Sequence, residues 1–114
     1  MLDVEGHYRA VGGAFWLALD EGGRVVGSLG CVMADSGDAV LHRLYVKPQC
    51  KRQGIGSDLL LQAEKYARAR GCARVLAHLG DPTTYWESRL FYPHHGYVFL
   101  DDNRVGKMLD THLP

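Results

Sequence analysis

Along this chain, apolar residues fall into short runs that glycine, aspartate and proline divide. Phe15 to Leu19 is an apolar run ended by Asp20-Glu21-Gly22-Gly23, a hairpin-type turn. Arg24 to Met33 follows, β-branched at its start, with Gly27 and Gly30 as places for a bulge or a close approach. Asp35-Ser36-Gly37-Asp38 is a second turn. Ala39 to Val46 then alternates, which predicts Val40, His42, Leu44 and Val46 on one face and Leu41, Arg43 and Tyr45 on the other. The first half therefore reads as a three-stranded antiparallel meander over residues 15–46. The preceding segment, 1–14, is polar and glycine-rich with no clear period, and Asp3 to Tyr8 has the length of a helical turn.

Lys47-Pro48 stops the third strand, because proline cannot donate to a ladder. Past Gly56 the period lengthens. Leu60, Ala63, Glu64 and Ala67 fall on one face, Leu59 and Tyr66 widen it, and Gln62, Lys65 and Arg68 lie outside. This predicts an amphipathic helix from Ser57 to Arg70, with Gly71 as its terminating glycine. Arg74 to Leu79 predicts a strand. Thr83 or Thr84 is placed to cap a second helix running to about Tyr92, where Pro93 disturbs it and Gly96 ends it. Tyr97 to Leu100 is a further strand, and Val105 to Leu109 a candidate last one after the turn Asp101-Asp102-Asn103. The expected architecture is a single mixed α/β (α+β) domain over residues 1–114. In it the meander leads into a β-α-β-α-β core at 47–100, and a C-terminal strand or tail occupies 101–114.

Composition narrows the function classes. The chain has 46% hydrophobic and 23% charged residues, ordinary for a globular protein. Thirteen basic and thirteen acidic side chains cancel, so the sequence carries no footprint for duplex nucleic acid or an anionic membrane. No apolar run approaches the roughly 20 residues of a membrane span. The N-terminus lacks the basic flank and apolar core of a leader. Cys31, Cys50 and Cys72 are odd in number and form no C-x-x-C pair, which argues against a disulfide framework or zinc cage and fits the cytoplasm. His94-His95 is a poor metal pair, since helical neighbours point about 100° apart, so no metal is expected.

The local charge is more informative. Residues 42–52 hold His42, Arg43, Lys47, Lys51 and Arg52 with no acid among them. There a strand ends at Lys51-Arg52-Gln53-Gly54-Ile55-Gly56 and passes directly into a helix. Such a junction offers unpaired N–H groups and the positive end of a helix dipole to an anion. Gly54 and Gly56 would let phosphate oxygens approach the backbone; an ordinary tight turn with exposed basic residues fits the same spacing. The triphosphate loop G-x-x-x-x-G-K-[ST] is excluded because Ser57-Asp58 follow Gly56, and the dinucleotide fingerprint because Leu59 stands where its third glycine belongs.

The segment from Leu44-Tyr45-Val46-Lys47-Pro48 to Gly54-Ile55-Gly56-Ser57-Asp58-Leu59-Leu60 resembles the central motif of the GNAT superfamily of N-acetyltransferases. That motif is a strand ending in an apolar-aromatic-valine triplet and proline, then [QR]-x-x-G-x-[GA] opening a helix. Leu90-Phe91-Tyr92-Pro93-His94-His95-Gly96-Tyr97 is similar to the family's second signature, L-Y-x-x-x-G-[FY]. The resemblance implies acetyl-CoA as co-substrate and a primary amine as acceptor. It implies that the backbone of Leu44 and Val46 pairs with the pantetheine arm, in a notch where two parallel strands splay. Lys51, Arg52, Gln53, Gly54, Ile55, Gly56 and Ser57 would hold the pyrophosphate. Tyr92 falls where many members place the acid that protonates the departing thiolate. The glutamate base of some members is missing from Ala39 to Val46, which leaves His42 as the candidate base and His78 as its rival.

Lys51 replaces the family's Arg or Gln, keeping charge but losing the fork; where many members carry an arm-binding Asn this chain has Thr84-Tyr85-Trp86, with Ser88 as a candidate substitute. Most members place a strand and one or two helices before the meander, and here that region is abbreviated. An uncovered sheet face is thus expected, and with it a homodimer. A non-catalytic module that binds CoA or acyl-CoA, alone or as a subunit of a larger assembly, is the alternative reading.

Overall fold

In the computed structural model, residues 3–8, 13–50, 54–79 and 86–109 are described. Strands β1 (Asp3–Tyr8), β2 (Gly13–Leu19), β3 (Val25–Met33) and β4 (Ala39–Val46) form an antiparallel meander. A short 3₁₀ turn, Pro48–Cys50, leads to helix α1 (Ile55–Ala69), strand β5 (Arg74–His78) and helix α2 (Trp86–His94). Strands β6 (Val98–Asp101) and β7 (Arg104–Met108) complete one mixed seven-stranded sheet of order β1-β2-β3-β4-β5-β7-β6.

The helical turn expected at Asp3 to Tyr8 is instead strand β1, in register with β2 from Asp3↔Leu19 to Gly6↔Trp16. Six residues cannot repay helix nucleation alone, whereas the free edge of β2 supplies ready backbone partners. The meander therefore has four strands. The second helix runs two residues past Tyr92, through Pro93, which sits in its last turn. There the missing N–H forfeits one intrahelical bond and the ring crowds the preceding turn without stopping the helix. Thr83 and Thr84 lie outside the described residues. Strand β7, antiparallel to both neighbours, inserts between β5 and β6.

Both helices lie on one face of the sheet, as right-handed crossovers advancing in one direction require. On that face Leu29, Leu41, Leu59, Leu60, Val75 and Val105 are buried. The Trp16 ring of β2 meets Tyr66 of α1 edge-on at 5.4 Å. Gly27 lets α1 settle close: a Cβ there would stand 2.9 Å from Ile55 Cγ2 and 3.0 Å from the Tyr45 carbonyl oxygen. The periodicity that put Glu64 on the apolar face of its helix holds, and that carboxylate is buried.

No helix among the described residues covers the other face. Cross-strand register places Leu17, Ser28 and Tyr45 there, and likewise Val40 and Leu76. Val32, Tyr45, Val98 and Met108 on this side are exposed.

Candidate functional site

The site begins with an irregularity in β4. Gly30 pairs with His42 and Ser28 with Tyr45, so the one residue of β3 between these pairs, Leu29, opposes two of β4, Arg43 and Leu44. This bulge reverses the alternation expected for the strand. Before it, Ala39 and Leu41 point into the core; after it, Leu44 and Val46 pack against the core while Tyr45 turns outward. His42 therefore does not share a face with Leu44 and Val46. A one-residue insertion is invisible to a period-2 pattern, because both halves of the strand still alternate.

The same point marks the end of pairing between β4 and β5. Their parallel ladder runs Ala39↔Val75, Val40↔Leu76 and Leu41↔Ala77 and goes no further. Beyond it, the β5 side of β4 from His42 to Val46 has no strand partner among the described residues. The two parallel strands part here, and β4 continues alone toward the N-terminus of α1.

At Val46 the strand is closed off by the Lys47 N–H, which donates to the Val26 carbonyl at 2.8 Å. Lys51, Arg52 and Gln53 lie outside the described residues. Gly54 caps α1 with φ +83°, a left-handed conformation that glycine adopts without a Cβ penalty, and no side chain caps this terminus. The first intrahelical bond runs from the Asp58 N–H to the Gly54 carbonyl at 3.0 Å. Among the described residues no backbone carbonyl accepts from the N–H groups of Ile55, Gly56 and Ser57, which leaves them open to an anion. Ile55 itself is buried, so it offers backbone rather than side chain. Gly56 has a packing duty as well, since a Cβ there would lie 3.2 Å from the Phe91 ring of α2.

Ser57 and α2 meet through His95, a link that sequence reasoning missed. Ser57 Oγ and His95 Nε2 are 3.1 Å apart, and the imidazole rests 4.6 Å from the Phe91 ring. Burial pushes the His95 pKa below its ordinary value, and the neighbouring His94 adds to this; Glu64 opposes it. Among the described residues no group of three or more His, Cys, Asp or Glu converges as a metal site would.

Tyr92 is buried at the end of α2, between Phe91 at 5.2 Å and Tyr97 at 5.3 Å, both edge-on. Burial raises its pKa above the ordinary value, so the hydroxyl keeps its proton. Tyr97 donates its hydroxyl to Glu64 Oε2 at 2.8 Å, and Lys107 Nζ lies 3.3 Å from the same oxygen. The one sequence signal for this cluster was an acid on the apolar face of a helix, a position that demands a partner.

His42 lies on the opposite side. Its exposed imidazole stacks over Gly30, where a Cβ would come within 2.8 Å of Cε1, on the face away from α1. The fold thus brings the loop glycines, Ser57, His95 and Tyr92 to one side of the sheet and leaves His42 on the other, next to the gap between β4 and β5. His78, its rival, is exposed at the end of β5 and pairs with Arg104 of β7. Ser88 has no described side chain.

A seven-stranded mixed sheet with parting central parallel strands and a glycine junction at the head of the crossover helix is the mixed α/β fold of solved GNAT acetyltransferases. The family model for the acetyltransferase (GNAT) family matches residues 2–97. The chain belongs to the GNAT acetyltransferase family. No curated protein sequence matches it significantly.

Solved structures share the fold. A GNAT-family acetyltransferase from Staphylococcus aureus Mu50 superposes with a TM-score of 0.76 at 21% identity, over 87% of this chain and 69% of that one. The PaiA N-acetyltransferase of Thermoplasma acidophilum, in complex with coenzyme A, gives 0.70 at 24% identity over 82% and 59%. A GNAT-family acetyltransferase from Elizabethkingia anophelis with acetyl-CoA bound gives 0.78 at 12% identity over 95% and 98%. At these identities the likeness is one of fold. The chain spans about three fifths to two thirds of the first two proteins and nearly all of the third.

Proposed function

We propose that this protein transfers the acetyl group of acetyl-CoA to a primary amine by direct attack. The observation that carries the reading is the notch: the β4–β5 ladder stops at Leu41↔Ala77 while β4 runs on to Val46 and the head of α1. An extended pantetheine arm in that notch would pair with the backbone of Leu44 and Val46 as an added strand does. The pyrophosphate would lie on the N–H groups of Gly54, Ile55, Gly56 and Ser57, with Lys51, Arg52 and Gln53 around it. Coenzyme-bound relatives of the same fold support this placement.

In the reaction, the amine nitrogen attacks the thioester carbonyl carbon and a tetrahedral oxyanion forms. The C–S bond then breaks, an amide results, and CoA leaves as thiolate. Tyr92, kept protonated by burial, donates its proton to the sulfur. His42 takes the proton lost by the attacking nitrogen, approaching from the open face through the gap beside β5.

The burial of Tyr92 also favours a second reading, in which the domain binds CoA or acyl-CoA without turnover and Tyr92 serves packing alone. Calorimetric titration with CoA, run beside thiol release from acetyl-CoA over a panel of primary amines, separates the two. Binding with amine-dependent release supports transfer; binding with no release over the panel supports the module; no binding removes both. The reading extends to place and assembly. Cys31, Cys50 and Cys72 are free thiols, which favours the cytoplasm. The open sheet face, with Val32 and Val98 exposed, favours a homodimer.

A further inference from the structure

A buried carboxylate on the crossover helix has no part in the chemistry above, yet it is bonded to the support of Tyr92. Glu64 lies among Leu60, Ala63 and Ala67 on the apolar face of α1 and is only 5% exposed. A carboxylate so placed destabilises the fold unless its oxygens are satisfied. Two groups from the far end of the sheet do this. The Tyr97 hydroxyl donates to Oε2 at 2.8 Å, and Lys107 Nζ stands 3.3 Å from Oε2 and 3.4 Å from Oε1. Lys107 Nζ also sits over the Tyr97 ring, 5.6 Å from its centroid.

Tyr97 is in turn what Tyr92 rests on. Its ring meets the Tyr92 ring at 5.3 Å, and its N–H donates to the Tyr92 carbonyl at 3.1 Å. One chain of contacts therefore runs from Glu64 through Tyr97 to both the ring and the backbone of Tyr92. Its starting point is the helix whose first turn heads the candidate coenzyme loop. We propose that Glu64 is a positioning residue for Tyr92: by anchoring Tyr97 it fixes the Tyr92 hydroxyl relative to α1 and so to the coenzyme.

This inference rests on the acid role proposed for Tyr92, and its test keeps the two apart. Glu64→Gln retains an acceptor for the Tyr97 hydroxyl and removes the charge that holds Lys107; Tyr97→Phe removes only the hydroxyl and leaves the ring. Either variant is expected to lower kcat by roughly tenfold or more, since small displacements of a reacting group cost that much, while KM for acetyl-CoA stays near wild type. In a Tyr92→Phe background the same substitutions are expected to cost nothing further. A loss of equal size in both backgrounds, or folded variants with wild-type kcat, would overturn the proposal. A second readout does not depend on turnover. With tyrosine labelled by ¹³C at Cζ, the Tyr92 signal, identified by its loss in Tyr92→Phe, is expected to shift in both variants. A signal that stays in place sinks the proposal. If Tyr92→Phe leaves kcat unchanged, the acid role falls, and the Tyr92 signal alone decides whether Glu64 positions that ring.

Discussion

Replacing Tyr92 by phenylalanine changes one oxygen in a crowded place, and the structure separates what that should do to stability from what it should do to rate. The ring contacts with Phe91 at 5.2 Å and Tyr97 at 5.3 Å do not involve the hydroxyl and survive the change. Stability is therefore expected to move by no more than about 1 kcal/mol, which in a domain of this size shifts Tm by roughly 4–8 °C at most. The rate is another matter if the hydroxyl serves the leaving sulfur. A positioned acid contributes on the order of 10²-fold, or about 2.7 kcal/mol of barrier at 1.36 kcal/mol per tenfold. Because burial raises the pKa of Tyr92 from its ordinary value of 10.0, the donor form persists at every working pH. A raised pKa means that activity dependent on the protonated hydroxyl is complete at low pH and is lost only above that ordinary value. No alkaline limb below about pH 10 should then trace to Tyr92. The assay is steady-state thiol release against a confirmed amine, with CoA affinity measured by calorimetry. The expected result is a large fall in kcat with affinity unchanged. Wild-type turnover in a folded variant would refute the reasoning, and so would an equal loss of coenzyme affinity, which would mark Tyr92 as packing for the coenzyme site.

Three other expectations follow from particular contacts. Gly27→Ala should lower stability by about 1–3 kcal/mol in urea unfolding, because its Cβ would meet Ile55 at 2.9 Å and the fixed Tyr45 carbonyl at 3.0 Å; an unchanged midpoint would show that α1 can move outward freely. The hydrogen bond from Arg74, helped by Ser36, holds the Asp38 pKa below its ordinary 3.8. That contribution is present above the unfolded value and lost as pH falls through the folded one, so the stability gap between wild type and Asp38→Asn should close below about pH 4; a constant gap would refute it. Sedimentation equilibrium should show concentration-dependent dimer mass that Val32→Glu abolishes, and a monomer mass at all concentrations would remove the homodimer.

What the sequence revealed of the fold was what neighbouring residues decide among themselves. The turn after the second strand was legible because Asp20 supplies its own closure, with Oδ1 accepting the Gly22 and Arg24 N–H groups at 2.9 Å. The crossover helix was legible because Gly54 and Gly71, both at positive φ, bracket an apolar period of helical spacing. Strand β1 was not, because its pairing with β2 is a property of the free edge rather than of the segment Asp3–Tyr8. The β4 bulge escaped for a related reason: only the partner strand shows that two residues answer one. For the candidate site, the two motifs singled out the loop glycines and Tyr92. The groups that connect them, Ser57 with His95 and Glu64 with Tyr97 and Lys107, are 33 to 43 residues apart in sequence and meet only through the folded sheet.

The insertion of β7 between β5 and β6 bears on how the chain comes into being. During synthesis β6 emerges before the strand it must lean on, since its ladder partner is β7 and not β5. Until Arg104–Met108 has been made, Val98–Asp101 has no ladder partner, and Glu64 is without Lys107. β6 therefore joins the sheet together with β7 or after it, never before, although it precedes β7 in the chain. A nascent chain halted just short of Arg104 would hold a folded meander beside an apolar segment with no place in the sheet, the kind of intermediate that chaperones bind.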